Sequence, residues 1–357
     1  IQELSRKQKH HTALDSLFRY AEFLNFGDIH IKFDPKTQLR AIVAVHNLKR
    51  GPAIGGCRVF KYNSTDAAME DAMRLAYVMS FKAAMSDLAH GGAKAVIIAP
   101  KVIKDRRAFF HSFGEFVDSL GGKYVTAVDI GTSMEDMDFI AEKTSYVTTT
   151  TKYGDLGNAS LHTATGVRRC IEAAVKFKLG KDNLQGVHVA IQGTGHVGFF
   201  LANELSSLGA KLTLTDVNKE SLQRAAIEFN AEICDPEQIY SVDADVFAPC
   251  ALGAVLNIKT INQMKTSIVA GSANNQLAHH HHADLMFERG ILYAPDFVAN
   301  AGGLIAAAAM YDHDNLDKIK QNVFNIYNII TDVFTESVKN NKSTLDIAEK
   351  IAKARLL

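Results

Sequence analysis

A glycine-rich segment near the middle of the chain constrains the fold most. Residues 187–192 are apolar enough for a buried strand and lead into Gly193-x-Gly195-x-x-Gly198 and a helix predicted over 199–208. A second strand, predicted over 211–215, ends at Asp216, 18 residues after Gly198. This order is typical of a dinucleotide site, with the pyrophosphate on the helix N-terminus and the acid on the ribose hydroxyls. The alternative is a glycine-rich turn that binds nothing.

The position of this motif predicts two domains. About 190 residues precede it in a chain of 357 residues. We expect an α/β protein with an N-terminal mixed α/β substrate and oligomerisation domain over 1–150 and a C-terminal doubly wound Rossmann domain over 151–330. The last helices, about 331–357, are expected to pack back on the first domain. The polar, turn-rich segment 147–160 is the predicted hinge.

Hydrophobic periodicity predicts helices and strands on both sides of this hinge. Further helices are expected over 66–87, 109–120 and 163–178. Further strands are expected over 38–46, 93–98, 124–128, 244–248, 266–270 and 291–294. Two glycine-rich segments, 51–56 and 91–94, are interpreted as a turn and a loop, because glycine is frequent where the backbone bends or approaches a ligand.

Charge and cysteine usage argue against several classes of function. Lys+Arg and Asp+Glu both number 39, without a basic block, which argues against nucleic acid as a partner. The four cysteines are far apart and predict neither a zinc site nor disulfides, which fits a reducing cytoplasm. No apolar run of 18 residues predicts a membrane span, and the polar segment 1–11 does not resemble a signal peptide. The histidine run at 279–282 is interpreted as a solvated loop or helix start rather than a metal site.

Three charged residues near the ends of predicted elements form a candidate site. Lys82 lies near the end of the long predicted helix, Lys94 follows a Gly-Gly pair, and Asp129 follows the strand predicted over 124–128. Two cations and a carboxylate at the ends of elements can form a substrate site. The spacing leaves the alternative open, since most lysines are solvated and an Asp before Ile-Gly often only forms a turn.

Several motifs in one order resemble a known enzyme family. They begin at Gly51 (GPAIGGCRVFKY), Met79 (MSFK), Gly91 (GGAK), Thr126 (TAVDIGT), Ala248 (APCALG), Ala270 (AGSANNQL) and Tyr293 (YAPDFVANAGG). From about residue 15 to the C-terminus, the chain is similar to the glutamate/leucine/phenylalanine/valine dehydrogenase family, most of all to its leucine-type members. The resemblance implies reversible oxidative deamination of an L-amino acid to a 2-oxo acid and ammonium, with NAD as hydride acceptor.

The resemblance also assigns roles to the three charged residues. Lys82 would hold the substrate α-carboxylate, Lys94 would be the general base that activates water, and Asp129 would relay protons at the nitrogen. It implies a homo-oligomer, a dimer or higher, with an octamer among the candidates. Two other classes stay open: a catalytically weak NAD-binding relative, and a 2-hydroxy-acid dehydrogenase, which needs an Arg–His–carboxylate set that no histidine here is placed to complete.

The predicted cofactor site has two parts. The glycine motif and the acid after it supply Gly193, Thr194, Gly195, His196, Val197, Gly198, Asp216 and Val217. The charge of Asp216 would repel a 2′-phosphate, so NAD is favoured over NADP. By resemblance, residues after the later strands face the nicotinamide and its ribose: Cys250, Ala251, Ala273, Asn274 and Asn300. For Cys250, small core packing is the alternative.

The residue before Gly55-Gly56 favours an apolar substrate. Glutamate enzymes of the family have a lysine there that pairs the substrate's side-chain carboxylate, and this chain has Ile54. A buried carboxylate opposite Ile54 would lack a partner, which is costly. The expected substrate pocket contains Ile54, Gly55, Met79, Ala127, Leu304 and Ala307. Branched-chain substrates, leucine first, are favoured, with phenylalanine as the alternative because the alanine run at 306–309 departs from the family.

Overall fold

The computed structural model describes residues 20–251 and 253–357, which divide into two compact units. Of these residues, the first unit comprises those up to Gly157, Ala306–Leu316 and Ala352–Leu357, and the second comprises those from Asn158 to Ile305 and Asp317–Ile351. The first boundary lies inside the predicted hinge. The later boundaries differ from the prediction, since the sequence assigns 331–357 to the first domain and only its last six residues join that unit. The polar segment 1–11, predicted not to be a signal peptide, lies outside the described residues.

The first unit is built on a five-stranded mixed sheet. Its strands are β1 (Asp28–Asp34), β2 (Leu39–Asn47), β3 (Ala53–Phe60), β4 (Gly91–Ile98) and β5 (Tyr124–Val128). Their spatial order is β1-β2-β4-β3-β5. The pairs β1–β2 and β2–β4 are antiparallel, whereas β3 pairs in parallel with both β4 and β5. The carboxyl ends of β3, β4 and β5 therefore lie at the same edge of the sheet.

Helices cover both faces of this sheet. They are α1 (Thr65–Met85), α2 (Arg106–Ser119) and α3 (Met134–Ala141). Side chains alternate along β2: Leu39 and Val43 pack into the core with α2 and α3, and Ile42 packs into the core with α1. The sheet is thus buried on both sides, which explains why its central strands read as continuous apolar runs.

The second unit contains a six-stranded parallel sheet. Its strands are β6 (His188–Gln192), β7 (Lys211–Thr215), β8 (Glu232–Ile233), β9 (Val246–Pro249), β10 (Ile268–Val269) and β11 (Leu292–Tyr293). In the spatial order β11-β10-β9-β6-β7-β8, strands β6 to β8 follow one another towards one edge and strands β9 to β11 towards the other, so the order of the strands reverses between β6 and β9. This is the doubly wound order, in which ligands bind beyond the carboxyl ends of the strands at the reversal point. The predicted two-domain α/β class with a Rossmann-type sheet is confirmed.

The remaining helices surround this second sheet or follow it in the chain. They are α4 (Ala159–Leu179), α5 (His196–Ser207), α6 (Lys219–Phe229), α7 (Ile258–Gln263), α8 (His282–Glu288), α9 (Asp296–Ala299), α10 (Gly302–Tyr311), α11 (Leu316–Phe324), α12 (Ile326–Asn340) and α13 (Thr344–Leu356). A 3₁₀ segment, Thr151–Gly157, precedes α4. Within α10, residues up to 305 belong to the second unit and later ones to the first. A threonine hydroxyl of the first unit, Thr148 Oγ1, donates to Ala307 O at 2.9 Å, which anchors that later part.

Two glycine-rich segments fold differently from the prediction. Residues 53–60 form β3 and residues 91–98 form β4, whereas the sequence predicts a turn at 51–56 and a loop at 91–94. The glycines inside β3 and β4 permit close packing between elements, whereas Gly51, with φ +133°, lies in a bend just before β3. A Cβ on Gly92 would lie 2.1 Å from Ser80 N on α1. Glycine inside a strand often marks such an approach of another backbone, which a local sequence pattern does not reveal.

Candidate active site

The site in the first unit is centred on an ion pair between Lys94 and Asp129. Lys94 lies inside β4, and Asp129 directly follows β5, on the opposite side of β3. Lys94 Nζ is 2.7 Å from Asp129 Oδ2, and the two side chains are 7% and 21% exposed. Gly56 on β3 leaves the space between them, since a Cβ there would lie 2.8 Å from the Asp129 Cβ and 3.3 Å from Lys94 Nζ. The glycine thus lets a lysine reach a carboxylate across an intervening strand.

Asp129 has a second cationic partner that the sequence interpretation missed. Arg58, on β3, donates from Nε to Asp129 Oδ2 at 3.1 Å and is 16% exposed. Burial raises the pKa of Asp129, but the Lys94 and Arg58 cations outweigh burial and lower the pKa to about 2. A signal was available: Arg58 follows Gly56 by two residues, so both lie on one face of the strand, and a charge inside an apolar strand needs a partner.

Lys82 lies on the last turn of α1 and is 9% exposed. The same helix approaches β4 closely, because the backbone of Ser80 packs against Gly92. Ser80 precedes Lys82 by two residues, and Gly92 precedes Lys94 by two residues. The contact therefore brings together the two chain segments that carry these lysines. The three charged residues predicted to carry chemistry therefore all lie in the first unit, with Lys94 and Asp129 in direct contact.

Most of the predicted substrate-pocket residues lie on β3, β5 and α1. Ile54 and Ala127 are buried, with exposed fractions of 1% and 6%. Gly55 pairs with Thr126 on β5, and its carbonyl accepts a hydrogen bond from Tyr124 Oη at 2.7 Å. Met79 is half-buried on α1. The two positions predicted from α10 are divided, since Leu304 belongs to the second unit and Ala307 to the first.

The glycine motif of the second unit forms the turn between β6 and α5 as predicted. Gly193 has φ +102°, a conformation that favours glycine. Helix α5 begins after Gly195, which provides no side-chain cap, so backbone N–H groups at this N-terminus are left for an anion. At the end of β7, Asp216 Oδ2 accepts from Thr194 N at 2.6 Å and its Oδ1 accepts from Asn218 N at 2.7 Å. The remaining motif residues, His196, Val197 and Gly198, open α5, and Val217 is exposed.

The residues predicted to face the nicotinamide lie on neighbouring loops of the same unit. A Cβ on Gly193 would lie 2.9 Å from the Ala251 Cβ, so the loop after β9, which also carries Cys250, meets the glycine turn at the reversal point of the sheet. Ala273 N donates to Pro249 O at 2.9 Å. Asn300 Nδ2 donates to Asn274 Oδ1 at 2.8 Å, while the buried Asn300 Oδ1 has no partner among the described residues. A buried acceptor without a donor and an uncapped helix N-terminus both fit a bound dinucleotide.

The histidine run and the four cysteines are the other sequence features that bear on a possible site. His282 is the first residue of α8, in line with the predicted helix start, and the rings of His281 and His282 lie 4.4 Å apart. In the described ranges, no group of three or more His, Cys, Asp or Glu side chains is arranged to hold a metal ion. The four cysteines are free thiols. None of the described helices has the length and apolar character needed to cross a membrane.

Comparison with known proteins identifies the family. Residues 28–146 match the model for the Glu/Leu/Phe/Val dehydrogenase dimerisation domain, and residues 212–354 match the model for Glutamate/Leucine/Phenylalanine/Valine dehydrogenase. Leucine dehydrogenase of Geobacillus stearothermophilus is 43% identical over 341 residues, 95% of this chain and 93% of that protein. Phenylalanine dehydrogenase of Bacillus thermotolerans is 39% identical over 90% of this chain and 86% of its own.

The fold comparison agrees with the sequence comparison. The crystal structure of L-tryptophan dehydrogenase from Nostoc punctiforme superimposes with a TM-score of 0.81 at 34% identity, over 95% of this chain and 98% of that one. The resemblance inferred from the motifs is thereby confirmed. The chain belongs to the glutamate/leucine/phenylalanine/valine dehydrogenase family of amino-acid oxidoreductases, which use a nicotinamide cofactor.

Proposed function

We propose that this protein catalyses the reversible oxidative deamination of an apolar L-amino acid, with leucine and other branched-chain substrates preferred and NAD⁺ as the oxidant. The observation that carries the proposal is the buried Lys94–Asp129 pair, with Nζ and Oδ2 2.7 Å apart, beside a strand that carries Ile54. The identity of 43% to a leucine dehydrogenase over nearly the whole chain supports the same substrate class.

Each charged residue has a distinct part in the proposed reaction. Lys82 pairs with the substrate α-carboxylate and fixes the α-carbon. The bound nicotinamide supplies a hydride acceptor. Asp129 takes a proton from the substrate amine as the Cα–H bond breaks, so the substrate becomes an imine. Lys94 takes a proton from the water that adds to the imine carbon. Asp129 then returns its proton to the nitrogen, and the C–N bond breaks as the new hydroxyl group loses its proton, which releases ammonia and the 2-oxo acid. The 2.7 Å hydrogen bond between Lys94 and Asp129 lets a proton pass between them.

The substrate preference rests on Ile54 and its surroundings. Ile54 is 1% exposed, and a substrate carboxylate placed against it would be desolvated without a cation. We therefore exclude glutamate as the preferred substrate. Phenylalanine is the second candidate, because the alanine run at 306–309 is composed of small buried side chains and the phenylalanine dehydrogenase match is 39% identical.

We further propose NAD over NADP as the cofactor, a homo-oligomer as the working form, and the cytoplasm as its location. Asp216 is an anion at the end of β7, where the 2′-phosphate of NADP would be placed. The match of residues 28–146 to a dimerisation domain supports self-association. Free thiols suit a reducing compartment. We assign substrate binding to the first unit and cofactor binding to the second.

A single plate assay tests the proposal. The full chain is incubated with NAD⁺ and each of the twenty L-amino acids, and NADH formation is followed by absorbance. We expect the highest kcat/KM for leucine, isoleucine or valine, and little rate with glutamate. Absence of NADH with every aliphatic and aromatic substrate would refute the proposal, and a parallel NADH-binding titration would then identify a catalytically weak relative. Wells with 2-hydroxy acids test whether the protein is a 2-hydroxy-acid dehydrogenase, and wells with NADP⁺ test the preference for NAD⁺.

A further inference from the structure

Arg58 contacts the proposed catalytic pair but has no role in the reaction proposed above. Its Nε donates to Asp129 Oδ2 at 3.1 Å, the oxygen that Lys94 Nζ also contacts at 2.7 Å. On its other side, Arg58 Nη1 donates to Asp71 Oδ2 at 3.0 Å. The guanidinium is therefore held between two carboxylates, one of which belongs to the proposed catalytic pair.

Asp71 holds Arg58 firmly from the side away from Asp129. Besides Arg58, Asp71 accepts from Tyr62 Oη at 2.6 Å and from Arg74 Nη2 at 2.7 Å. A guanidinium has no acceptor atom and stays protonated in proteins, so it needs anions when it is buried. Asp71 supplies one such anion and is itself fixed by two other donors, which leaves the Nε–H of Arg58 directed at Asp129.

A permanent cation at this place matters because Lys94 must lose its proton to act as a base. If Lys94 were the sole cation beside Asp129, its neutral form would leave a desolvated carboxylate without a charged partner, and that carboxylate would compete for the proton. Among the described residues, Cys57 and Tyr124 are two further titratable groups that interact with Asp129. A thiol and a phenol carry no positive charge, and burial raises the pKa of both, so neither becomes an added anion.

We propose that Arg58 is a positioning residue that holds the Asp129 carboxylate in place, and ionised between its proton transfers with the substrate nitrogen, while Lys94 gives up and regains its proton. The expected effect of Arg58 on the pH profile of kcat/KM rests on the proposed function. The expected effect of Arg58 on the titration of the Asp129 carboxyl rests on the contacts around Asp129 alone. The two effects are measured separately, so that failure of one can be told from failure of the other.

The test compares Arg58→Gln, which removes the charge, with Arg58→Lys, which keeps it. Arg107→Gln is the matched control, because Arg107, an arginine of the same unit, pairs with Glu142 rather than with Asp71 or Asp129. The first readout is the pH profile of kcat/KM with leucine and NAD⁺. The second is infrared difference spectroscopy of the Asp129 carboxyl, assigned by its absence from Asp129→Asn, which needs no activity. NADH binding and thermal unfolding report whether each variant is folded.

Removal of a positive charge makes nearby protons harder to remove. In Arg58→Gln, the acidic limb of kcat/KM should move to higher pH by about one unit, and the protonated Asp129 signal should appear at higher pH. Arg58→Lys should lie between Arg58→Gln and the wild type, and Arg107→Gln should match the wild type. A folded Arg58→Gln with an unchanged limb and an unchanged Asp129 titration would overturn the inference, as would equal shifts in Arg107→Gln. If the wild type oxidises no amino acid, the proposed function fails and the Asp129 titration still decides the role of Arg58.

Discussion

Asp129 keeps its negative charge in a place where burial alone favours the neutral acid. The pKa of about 2 results from Lys94 and Arg58, which together outweigh desolvation. Because this pKa lies below the ordinary value of 3.8, the carboxylate stabilises the folded state above about pH 4. The stabilisation is lost as the pH falls towards 2. The charge that the reaction needs therefore also contributes to folding.

This linkage predicts a pH-dependent loss of stability in Asp129→Asn. The variant leaves two cations without their shared anion, so we expect the free energy of unfolding at pH 7 to fall by about 2–3 kcal/mol. The difference from the wild type should shrink as the pH falls from about 4 to about 2. Urea unfolding at a series of pH values measures both effects. Asp118→Asn, an exposed carboxylate on α2, is the control. A difference that stays constant with pH would contradict the linkage.

Lys94→Ala should remove activity while leaving cofactor binding intact. A positioned acid or base typically contributes a factor of about 10² to 10⁴ in rate, so we expect kcat to fall by at least about 100-fold. NADH affinity should change little, because Lys94 lies in the first unit and the glycine motif in the second. The control is Lys123→Ala, which removes a lysine paired with Asp28 where both side chains are about half exposed. An active Lys94→Ala enzyme would exclude Lys94 as the base.

Asp216→Ser should relax the choice between NAD⁺ and NADP⁺. The substitution removes the anion at the end of β7 but leaves an oxygen that can accept from Thr194 N, which Asp216 contacts at 2.6 Å. We expect the ratio of kcat/KM for NAD⁺ to that for NADP⁺ to fall about tenfold, equivalent to about 1.4 kcal/mol. Steady-state kinetics with both cofactors measure the ratio. Glu228→Gln, an exposed acid on α6, should leave the ratio unchanged.

At the level of elements, the sequence predicts strands well where one local pattern decides them. The strands at 124–128 and 211–215 have the predicted bounds, since each is a short apolar run between turn residues. The predictions of a turn at 51–56 and a loop at 91–94 are wrong for the residues that form β3 and β4, because the glycines there are required by packing against residues that are distant in the sequence. Strands β10 and β11 are two residues long, shorter than predicted, since pairing in the sheet and not hydrophobicity sets their ends.

The contact between α1 and β4 makes a prediction about Gly92. A Cβ at Gly92 would lie 2.1 Å from Ser80 N, a backbone atom that a side-chain rotation cannot move. In Gly92→Ala the helix and the strand must separate, which shifts Lys82 and Lys94 together. We expect a loss of about 2 kcal/mol or more in unfolding free energy and a loss of kcat/KM beyond about tenfold.

Gly121→Ala separates this steric effect from a backbone effect. Gly121 has φ +60°, and a Cβ added there would have no atom of the described residues within 4 Å. Its substitution therefore costs only the conformational preference, about 1–2 kcal/mol. Urea unfolding and steady-state kinetics are compared for the two variants. Equal stability losses with full activity in both would show that the α1–β4 contact does not position the lysines.

For the whole molecule, the sequence predicts the two-unit organisation but not how the last part of the chain is divided. The Rossmann fingerprint begins only at Gly193, and the chain that precedes it is long enough to form a unit of its own. The assignment of Ala306–Leu316 to the first unit depends on tertiary contacts such as Thr148 to Ala307, at 2.9 Å. Roles for Lys82, Lys94 and Asp129 come from the family resemblance. The sequence indicates that Arg58 needs a partner, but Asp129 is identified as that partner only once β3 is placed between β4 and β5.

Self-association gives a prediction about β1. In the described part of the chain, β1 pairs with β2 alone, so its other edge presents unpaired backbone groups. Its Ile31 and Phe33 side chains lie on one face of the strand and are 62% and 54% exposed. An edge strand with exposed apolar side chains is normally covered, because it otherwise promotes aggregation. The strand also begins where the match to the dimerisation domain begins.

We therefore expect the wild type to be an oligomer of its 39.0 kDa chain and the double variant Ile31→Lys, Phe33→Lys to dissociate towards smaller species. Light scattering coupled to size exclusion measures the mass of each. Ile227→Lys, which changes a residue of α6 that is 72% exposed in the second unit, is the control and should retain the wild-type mass. A monomeric wild type would contradict self-association. A double variant with unchanged mass would place the interface elsewhere, because two added charges on a buried interface face would each lose their hydration without a partner.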